Sequence, residues 1–489
     1  MYDHTGNPAV SVTSDQKLSV PGQAKRRENS QIVSTITTQA VIRNGFKVRS
    51  RRAGLFKKIR WLYRQAVRMA TGALPRQVRF AVYRNMVQCD AAPSEKLVLK
   101  VAETKEELEA CFQLLHDAYV KVGFMKPDPS GMRVTIYHAL PTTTTLLAKY
   151  DGRVVGTLSL IRDSALGFPM QKIFNIKKIR LAGGNIAEIS ALAVHARFQA
   201  LGGVILFPLI KTMYEYATRL FDTRHLVIAV NPRHIGFYES ILFFRRLKKN
   251  AVKNYDFVNG APAVGAHLDL QEALKVFKKN YEKKEPTKNL YRYFVELVMP
   301  NIVWPDKRFF TTNDPVMTPE LLDYFFNQKT QLFANLSNHE KALLHTIYDL
   351  PAYRAVLPAF SPEKESTSDR RRRRHKRFSI RCPGKLVIRE SGKSHRIEIV
   401  ECWSSGFKAR SKSVLQVGDQ VDGHIELGPD DRCSLSLRVL RKSSSDSNTF
   451  VFEIEESDVN WRKFVSALSK AETHSDLENA TRYLSRYME

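Results

Sequence analysis

The stretches able to carry chemistry lie between residues 187 and 239. Ala187–Val194 reads as a strand with one carboxylate, Glu188, among apolar neighbours. Burial raises the pKa of such a carboxyl and makes it a general base near neutral pH; the competing reading is a paired structural carboxylate. Gln199–Val204 reads as a turn that opens a helix, with Gly202 and Gly203 at its centre. Free backbone N–H groups and the positive helix end there suit a phosphate or pyrophosphate. Val230–Glu239 reads as a strand end running through Asn231 and Pro232 into a helix that carries Tyr238. That tyrosine either donates a proton or packs as an ordinary aromatic. His195 and His234 read as structural or surface residues.

The elements that position these groups can be read from period and punctuation. Leu97–Val101 reads as a strand, and Thr104 with Glu107 forms a capping-box signature for a helix continued by Leu108, Cys111, Phe112, Leu115 and Tyr119. Thr145–Lys149 and Val154–Ile161, joined at Asp151 and Gly152, form a β-hairpin. A strand near Ile186–Val194, a helix over Val204–Leu220 and the strand Leu226–Val230 then make a parallel βαβ unit. Residues 271–360 follow a helical period, with start signals at Thr318–Glu320 and Ser337–Glu340. Short alternating strands at Val421–Leu427, Cys433–Val439 and Phe450–Ile454 indicate a small antiparallel barrel, and a helix closes the chain.

Composition narrows the setting. The chain has 489 residues, room for two or three domains, and is 43% hydrophobic and 26% charged, as folded proteins are. No apolar run suggests a membrane span, and the start has no charged-then-apolar block like a secretory signal. The five cysteines are scattered and no Cys/His cluster exists, so neither disulfides nor a metal site is expected, and a cytoplasmic setting fits. The net charge of +28 calls for an anionic partner. One source is the stretch from Glu28 to Asp90, which has no acidic residue between its ends. Within it Leu55, Ile59, Leu62, Ala66 and Met69 form one helical stripe flanked by Lys57, Lys58, Arg60, Arg64 and Arg68. Such a helix either lies on an anionic membrane surface, which would place the protein peripherally at the inner face, or docks on its own protein. A nucleic-acid partner is disfavoured, since no recognition helix, zinc finger or aromatic-basic sheet accompanies the charge.

Strand with Glu188, glycine turn, helix, strand, then Asn231-Pro232 leading to Phe237-Tyr238, resembles the GNAT acyltransferase superfamily. Together with Val258–Val264 and Leu268–Leu270, the set is similar to N-acyl amino acid synthases, relatives of acyl-homoserine lactone synthases. The resemblance implies transfer of a long acyl chain from a thioester to an amino-acid amine. It makes Glu188 the base and Tyr238 the acid, with a backbone N–H near Ala191 or Leu192 for the developing oxyanion. Leu192, Gln199, Gly202, Gly203 and Asn231 become the acyl-donor residues. Val204 departs from the superfamily glycine pattern, a change that an acyl carrier protein donor tolerates better than coenzyme A does. An acidic carrier would suit the basic residues Lys172, Lys177, Lys178, Arg180, Arg245, Arg246, Lys248 and Lys249, which read equally as a solvated face.

The run Arg370–Arg377 leads into a barrel strand and resembles the entrance of a PilZ domain, a cyclic di-GMP receptor module. That resemblance assigns the nucleotide to Arg372, Arg373 and Arg377, with Glu401, Ser404 and Gly406 from the second element. The expected class is therefore α+β and multidomain, with a GNAT-like mixed sheet, a helical extension and a PilZ-like barrel. The expected divisions are a disordered tail (1–45), a basic amphipathic helical segment (46–94) and an acyltransferase domain (95–275). A helical extension (276–360), a linker (361–369), the barrel (370–465) and a C-terminal helix (466–489) follow. The expected function is a long-chain N-acyltransferase answering to cyclic di-GMP, using a carrier-protein or coenzyme A thioester and no tightly bound cofactor. The alternatives are a non-catalytic cyclic di-GMP effector and, further off, a nucleic-acid binder.

Overall fold

The computed structural model describes residues 74–199, 203–305, 309–311, 317–348, 351–359, 377–411, 415–442 and 448–470. The basic stripe at 55–69, Gly202, Arg372 and Arg373 lie outside these residues. The chain opens with helix α1 (Arg76–Asn85), strand β1 (Leu97–Val101) and helix α2 (Lys105–Lys121). The α2 capping box is complete: Thr104 accepts from the Glu107 N–H, and the Glu107 side chain accepts from the Thr104 N–H. Then come β2 (Thr143–Tyr150), β3 (Arg153–Arg162) and β4 (Asn185–Val194). The first two join at Asp151 and Gly152, both at positive φ, as a tight hairpin demands. Helix α3 (Leu206–Phe221), β5 (Thr223–Val230), α4 (Ile235–Ser240), β6 (Arg245–Arg246), β7 (Val252–Tyr255) and β8 (Ala261–Asp269) complete one sheet, followed by α5 (Leu270–Tyr281).

The sheet runs β1-β2-β3-β4-β5-β8-β6, with β7 also on β8, and only β4–β5 is parallel. Both faces are covered. On one, α3 and α5 bury Leu209, Met213, Tyr216, Ala273 and Phe277 against Leu146, Leu158, Leu226 and Leu268. On the other, Phe112 and Leu115 of α2 meet Phe325, Phe326, Phe333 and Leu344 of the later segment. The stretch expected to be helical over 271–360 is helical only in pieces. Beyond α5, it holds among the described residues short helical turns, a continuous α- then π-helical stretch (Pro319–Leu322 and Asp323–Lys329) and a ten-residue helix, α6 (Asn338–Ile347). Its apolar residues pack as aromatic knobs on α2, which needs close contact and not long regular helices. Both anticipated start signals are used: Thr318 accepts from the Leu321 N–H, and Ser337 completes a capping box with Glu340.

The C-terminal region is a closed barrel of β9 (Phe378–Ile388), β10 (Ser394–Trp403), β11 (Gly406–Ser411), β12 (Gln420–Glu426), β13 (Arg432–Lys442) and β14 (Thr449–Ser457). Alternate residues point inward and fill it, and helix α7 (Val459–Lys470) inserts Trp461 and Phe464 into the same core. This helix starts at Val459, where Asp458 accepts from the Trp461 N–H. No described helix is long and apolar enough to cross a membrane.

Candidate functional site

The site forms where two strands part. β4 and β5 pair from Asn185↔Thr223 to Glu188↔Val227 and no further, although both strands continue to Val194 and Val230. Their outer edges stay bonded to β3 and β8, so the inner edges must diverge. A bulge in β4 contributes. The β3 register passes from Ser159↔Ser190 to Thr157↔Ala193, which leaves Ala191 and Leu192 together opposite Leu158. Ala191 adopts φ 52, a left-handed conformation that costs an alanine energy and persists only where the surroundings enforce it.

Glu188 is the last residue of β4 to pair with β5, and it is 2% exposed. Its Oε2 accepts the Met170 N–H at 3.1 Å. Burial pushes its carboxyl up to about 8, against the opposing pull of that hydrogen bond. Among the described residues no ion pair includes it. Burial, and then the Glu188 charge, also raise Tyr137 and Tyr255.

Tyr238 lies on α4, buried edge-on against Phe237 and Phe244 with ring centroids 5.3 and 5.7 Å away. Burial, then the nearby Tyr119 hydroxyl, hold its own hydroxyl well above the usual range, so it stays protonated. With Leu158, Ile189, Leu192, Met213 and Phe277 it lines an apolar slot of about 60 Å³. The partly exposed Leu274 and Val295 form part of its lining.

The other sequence candidates divide. Leu192 lines the slot. Asn231 ends β5: its Oδ1 accepts the Arg233 N–H at 3.0 Å and sets the turn into α4. The Gln199 amide is spent on the Val194 carbonyl at 2.7 Å, tying the turn to the end of β4. Gly203 has φ 99, and a Cβ there would strike the Phe207 ring at 2.5 Å, so glycine is required by the backbone itself. The first turn of α3 offers fewer donors than expected: the Phe207 N–H bonds to the Gly203 carbonyl and Pro208 has no N–H. His195 and His234 are both exposed.

Of the basic face, Arg180 is paired with Asp163 and Arg246 with Glu239. Arg245, Arg246 and Lys249 join Arg76 and Arg79 around a cleft of about 1010 Å³. In the barrel, Arg377 is ion-paired to Glu401 at 2.7 Å and stacks over the Trp403 ring at 4.6 Å. Ser404 lies in the two-residue turn between β10 and β11. A Cβ on Gly406 would meet the Phe452 carbonyl at 2.4 Å, so this glycine serves strand packing. Glu401 also lines a cleft of about 810 Å³ where the barrel meets the acyltransferase domain. There Arg381 donates to the Thr218 and Arg219 carbonyls at the end of α3, and Arg410 pairs with Asp222 just beyond it. Among the described residues no cluster could hold a metal ion.

Sequence reasoning missed Arg133 and assigned no chemistry to Tyr119, Tyr137, His138 or Tyr255; the fold brings Tyr119, Tyr137 and Tyr255 within electrostatic reach of Glu188 from separate segments. The one local signal was a lone arginine between apolar residues at Met132 and Val134.

Residues 110–269 match the sequence model of the N-acyl amino acid synthase FeeM family. Among solved structures, the chain is similar to FeeM, an N-acyl amino acid synthase from uncultured soil microbes. The identity is 25% over 37% of this chain and 93% of that one, with a TM-score of 0.32. It is also similar to the coenzyme A-dependent acyl-homoserine lactone synthase BjaI, at 18% identity over 42% of this chain and 93% of that one, TM-score 0.31. For the acyl-homoserine lactone synthase LasI the values are 17% identity, 36% and 90% coverage, and a TM-score of 0.28. No curated protein matches the chain. The family match supports an N-acyltransferase in this part of the chain.

Proposed function

We propose that the protein moves a long acyl chain from a carrier thioester to the amine of an amino acid. The observation that carries this reading is the buried Glu188 carboxyl, without an ion pair among the described residues, at the point where β4 and β5 part. Deprotonated Glu188 takes the proton of the acceptor amine, directly or through a water, and the freed nitrogen attacks the thioester carbonyl. A backbone N–H of the Ala191–Leu192 bulge bonds the developing oxyanion, and the C–S bond breaks as it collapses. Tyr238, held protonated, donates to the departing sulfur. The products are an amide and a thiol. The acyl chain occupies the apolar slot beside Leu192. The sparse N–H donors at the start of α3 favour a carrier-protein donor over the pyrophosphate of coenzyme A, and the basic rim at Arg245, Arg246 and Lys249 suits an acidic carrier.

The test is incubation with an acyl-carrier thioester and mixed amino acids, followed by mass spectrometry for new amides. Absence of product, or equal product from a Glu188→Gln, Tyr238→Phe double variant, overturns the reading.

The finer part of the proposal is control by cyclic di-GMP through the barrel. Arg377 on Trp403 offers a stacking and phosphate-binding fork beside the cleft that Glu401 lines. Glu401 already occupies this guanidinium, so a nucleotide phosphate would have to displace it. Calorimetry with cyclic di-GMP on wild type and Arg373→Ala decides the matter: tight binding lost in the variant supports it, and equal weak heats remove it.

A further inference from the structure

Arg133 is packed between aromatic rings yet has no ion pair among the described residues. Its guanidinium is half-buried, stacked 4.3 Å from the Tyr119 ring centroid and 5.1 Å from that of Phe257. One nitrogen, Nη2, donates to the Phe257 carbonyl at 2.7 Å, and the Tyr119 hydroxyl is a second partner. Among the described residues no carboxylate forms an ion pair with it. A guanidinium has five N–H donors, and drawn away from water it ordinarily finds an acidic partner. Here that partner is missing.

A second group nearby is also unmet. Tyr255 is 3% exposed and its hydroxyl has no hydrogen-bond partner among the described residues. A buried hydroxyl left so is costly, and native structures keep such groups where a ligand or water meets them. Its ring is 5.7 Å from that of Phe257, the residue whose carbonyl Arg133 holds. Tyr119 and Tyr255 each lie within electrostatic reach of both the Arg133 guanidinium and the Glu188 carboxyl. Met170, whose N–H holds Glu188, packs in the same cluster as Tyr255, with Tyr119 and Phe257 against it, so the remaining donors of the Arg133 fork, the unmet hydroxyl and the carboxyl lie on one face of the sheet.

An α-amino acid carries its carboxylate on the carbon next to its amine, and so presents the two groups that this neighbourhood lacks. We propose that Arg133, with the Tyr255 hydroxyl, recognises the carboxylate of the acceptor and so turns its amine toward Glu188. The inference rests on the acyl-transfer reading and makes Arg133 a specificity residue. The site selects amines that bear an adjacent carboxylate over plain amines.

The experiment uses the full chain, an acyl-carrier thioester and two acceptors. One is the amino acid that gives most product in the mixed assay, and the other is the amine left when its carboxylate is removed. Wild type prefers the amino acid. Arg133→Met raises KM for the amino acid roughly 10- to 100-fold, the range for a hydrogen bond to a charged group, with kcat little changed. The plain amine is unaffected, so the preference collapses, and Arg133→Lys recovers part of it. Both acceptors are measured on one preparation, so their ratio is independent of how much of a variant folds. Parallel losses at a constant ratio would show that Arg133 only ties residues 256–258 to α2, and would overturn the inference. Equal use of the two acceptors by wild type overturns it while leaving acyl transfer intact. No transfer to either acceptor removes acyl transfer itself, and the inference with it.

Discussion

The two sheets of this protein solve edge pairing in opposite ways. In the acyltransferase domain β4 and β5 stop pairing at Glu188 and Val227, and the gap beyond is lined by Leu192 and Tyr238. In the barrel every strand has two neighbours, and Phe407, Phe452 and Trp461 fill the middle. Where backbone pairing is given up, an interior space opens into which side chains from several segments can reach. Where the sheet closes on a packed core, only the outside remains for a ligand. Burial therefore acts on different groups in the two regions: it raises the Glu188 carboxyl to about 8, and it raises the Cys382 and Cys402 thiols, which keeps them inert.

The contrast can be broken or sharpened by substitution. Glu188→Gln has the largest expected effect, a fall in kcat of about 10²- to 10⁴-fold for a lost general base. In wild type kcat/KM should rise with pH through about 8, and the variant should lose that limb. Stability moves the other way. The folded carboxyl holds its proton up to about 8 while the unfolded one releases it near its ordinary value of 4.5. Its contribution is therefore complete below the lower value and lost as pH rises through the higher one. Denaturant melts should show wild type losing stability between those limits more steeply than Glu188→Gln does; equal slopes would mean that the carboxyl is not buried.

Next is the barrel core. Trp461→Ala removes a fully buried ring and should cost about 3–5 kcal/mol in denaturant melts, while acyl transfer measured well below the transition changes little. Loss of catalysis in the folded variant would show the two regions to be coupled. A Trp at Ala273, on the wall of the slot, should suppress transfer of long acyl chains by roughly 10- to 200-fold and spare acetyl donors, as read from kcat/KM over a chain-length series. The smallest change is at the contact between the regions. Arg410→Ala breaks a partly exposed pair with Asp222 and should cost about 0.2–1 kcal/mol, read from the melting midpoint.

Local decisions were legible in the sequence because the residues that make them are neighbours. Thr104 with Glu107, Ser337 with Glu340, and Asp151-Gly152 each close a hydrogen-bonded turn within a few positions. The barrel strands were visible from alternation, since period two decides which side chains face inward. Glu188 stood out as one carboxylate in an apolar run. What could not be read was which groups meet it. Arg133, Tyr119 and Tyr255 come from a loop, a helix and a strand, and no period links them. Gln199 shows a local partner that its type did not reveal: its side-chain amide donates to the Val194 carbonyl, five residues away.

By itself the sequence determined the elements, the two sheet types and the carboxylate at the centre, because hydrogen bonds and periodicity act over short stretches of chain. Tertiary structure alone decided that β4 and β5 part at Glu188. It alone left Arg133 without an ion pair and the Tyr255 hydroxyl without a hydrogen bond among the described residues. Those facts depend on the register of β3, β5 and β8 and on loops closed between residues more than a hundred positions apart, as when the Arg133 side chain reaches the Phe257 carbonyl.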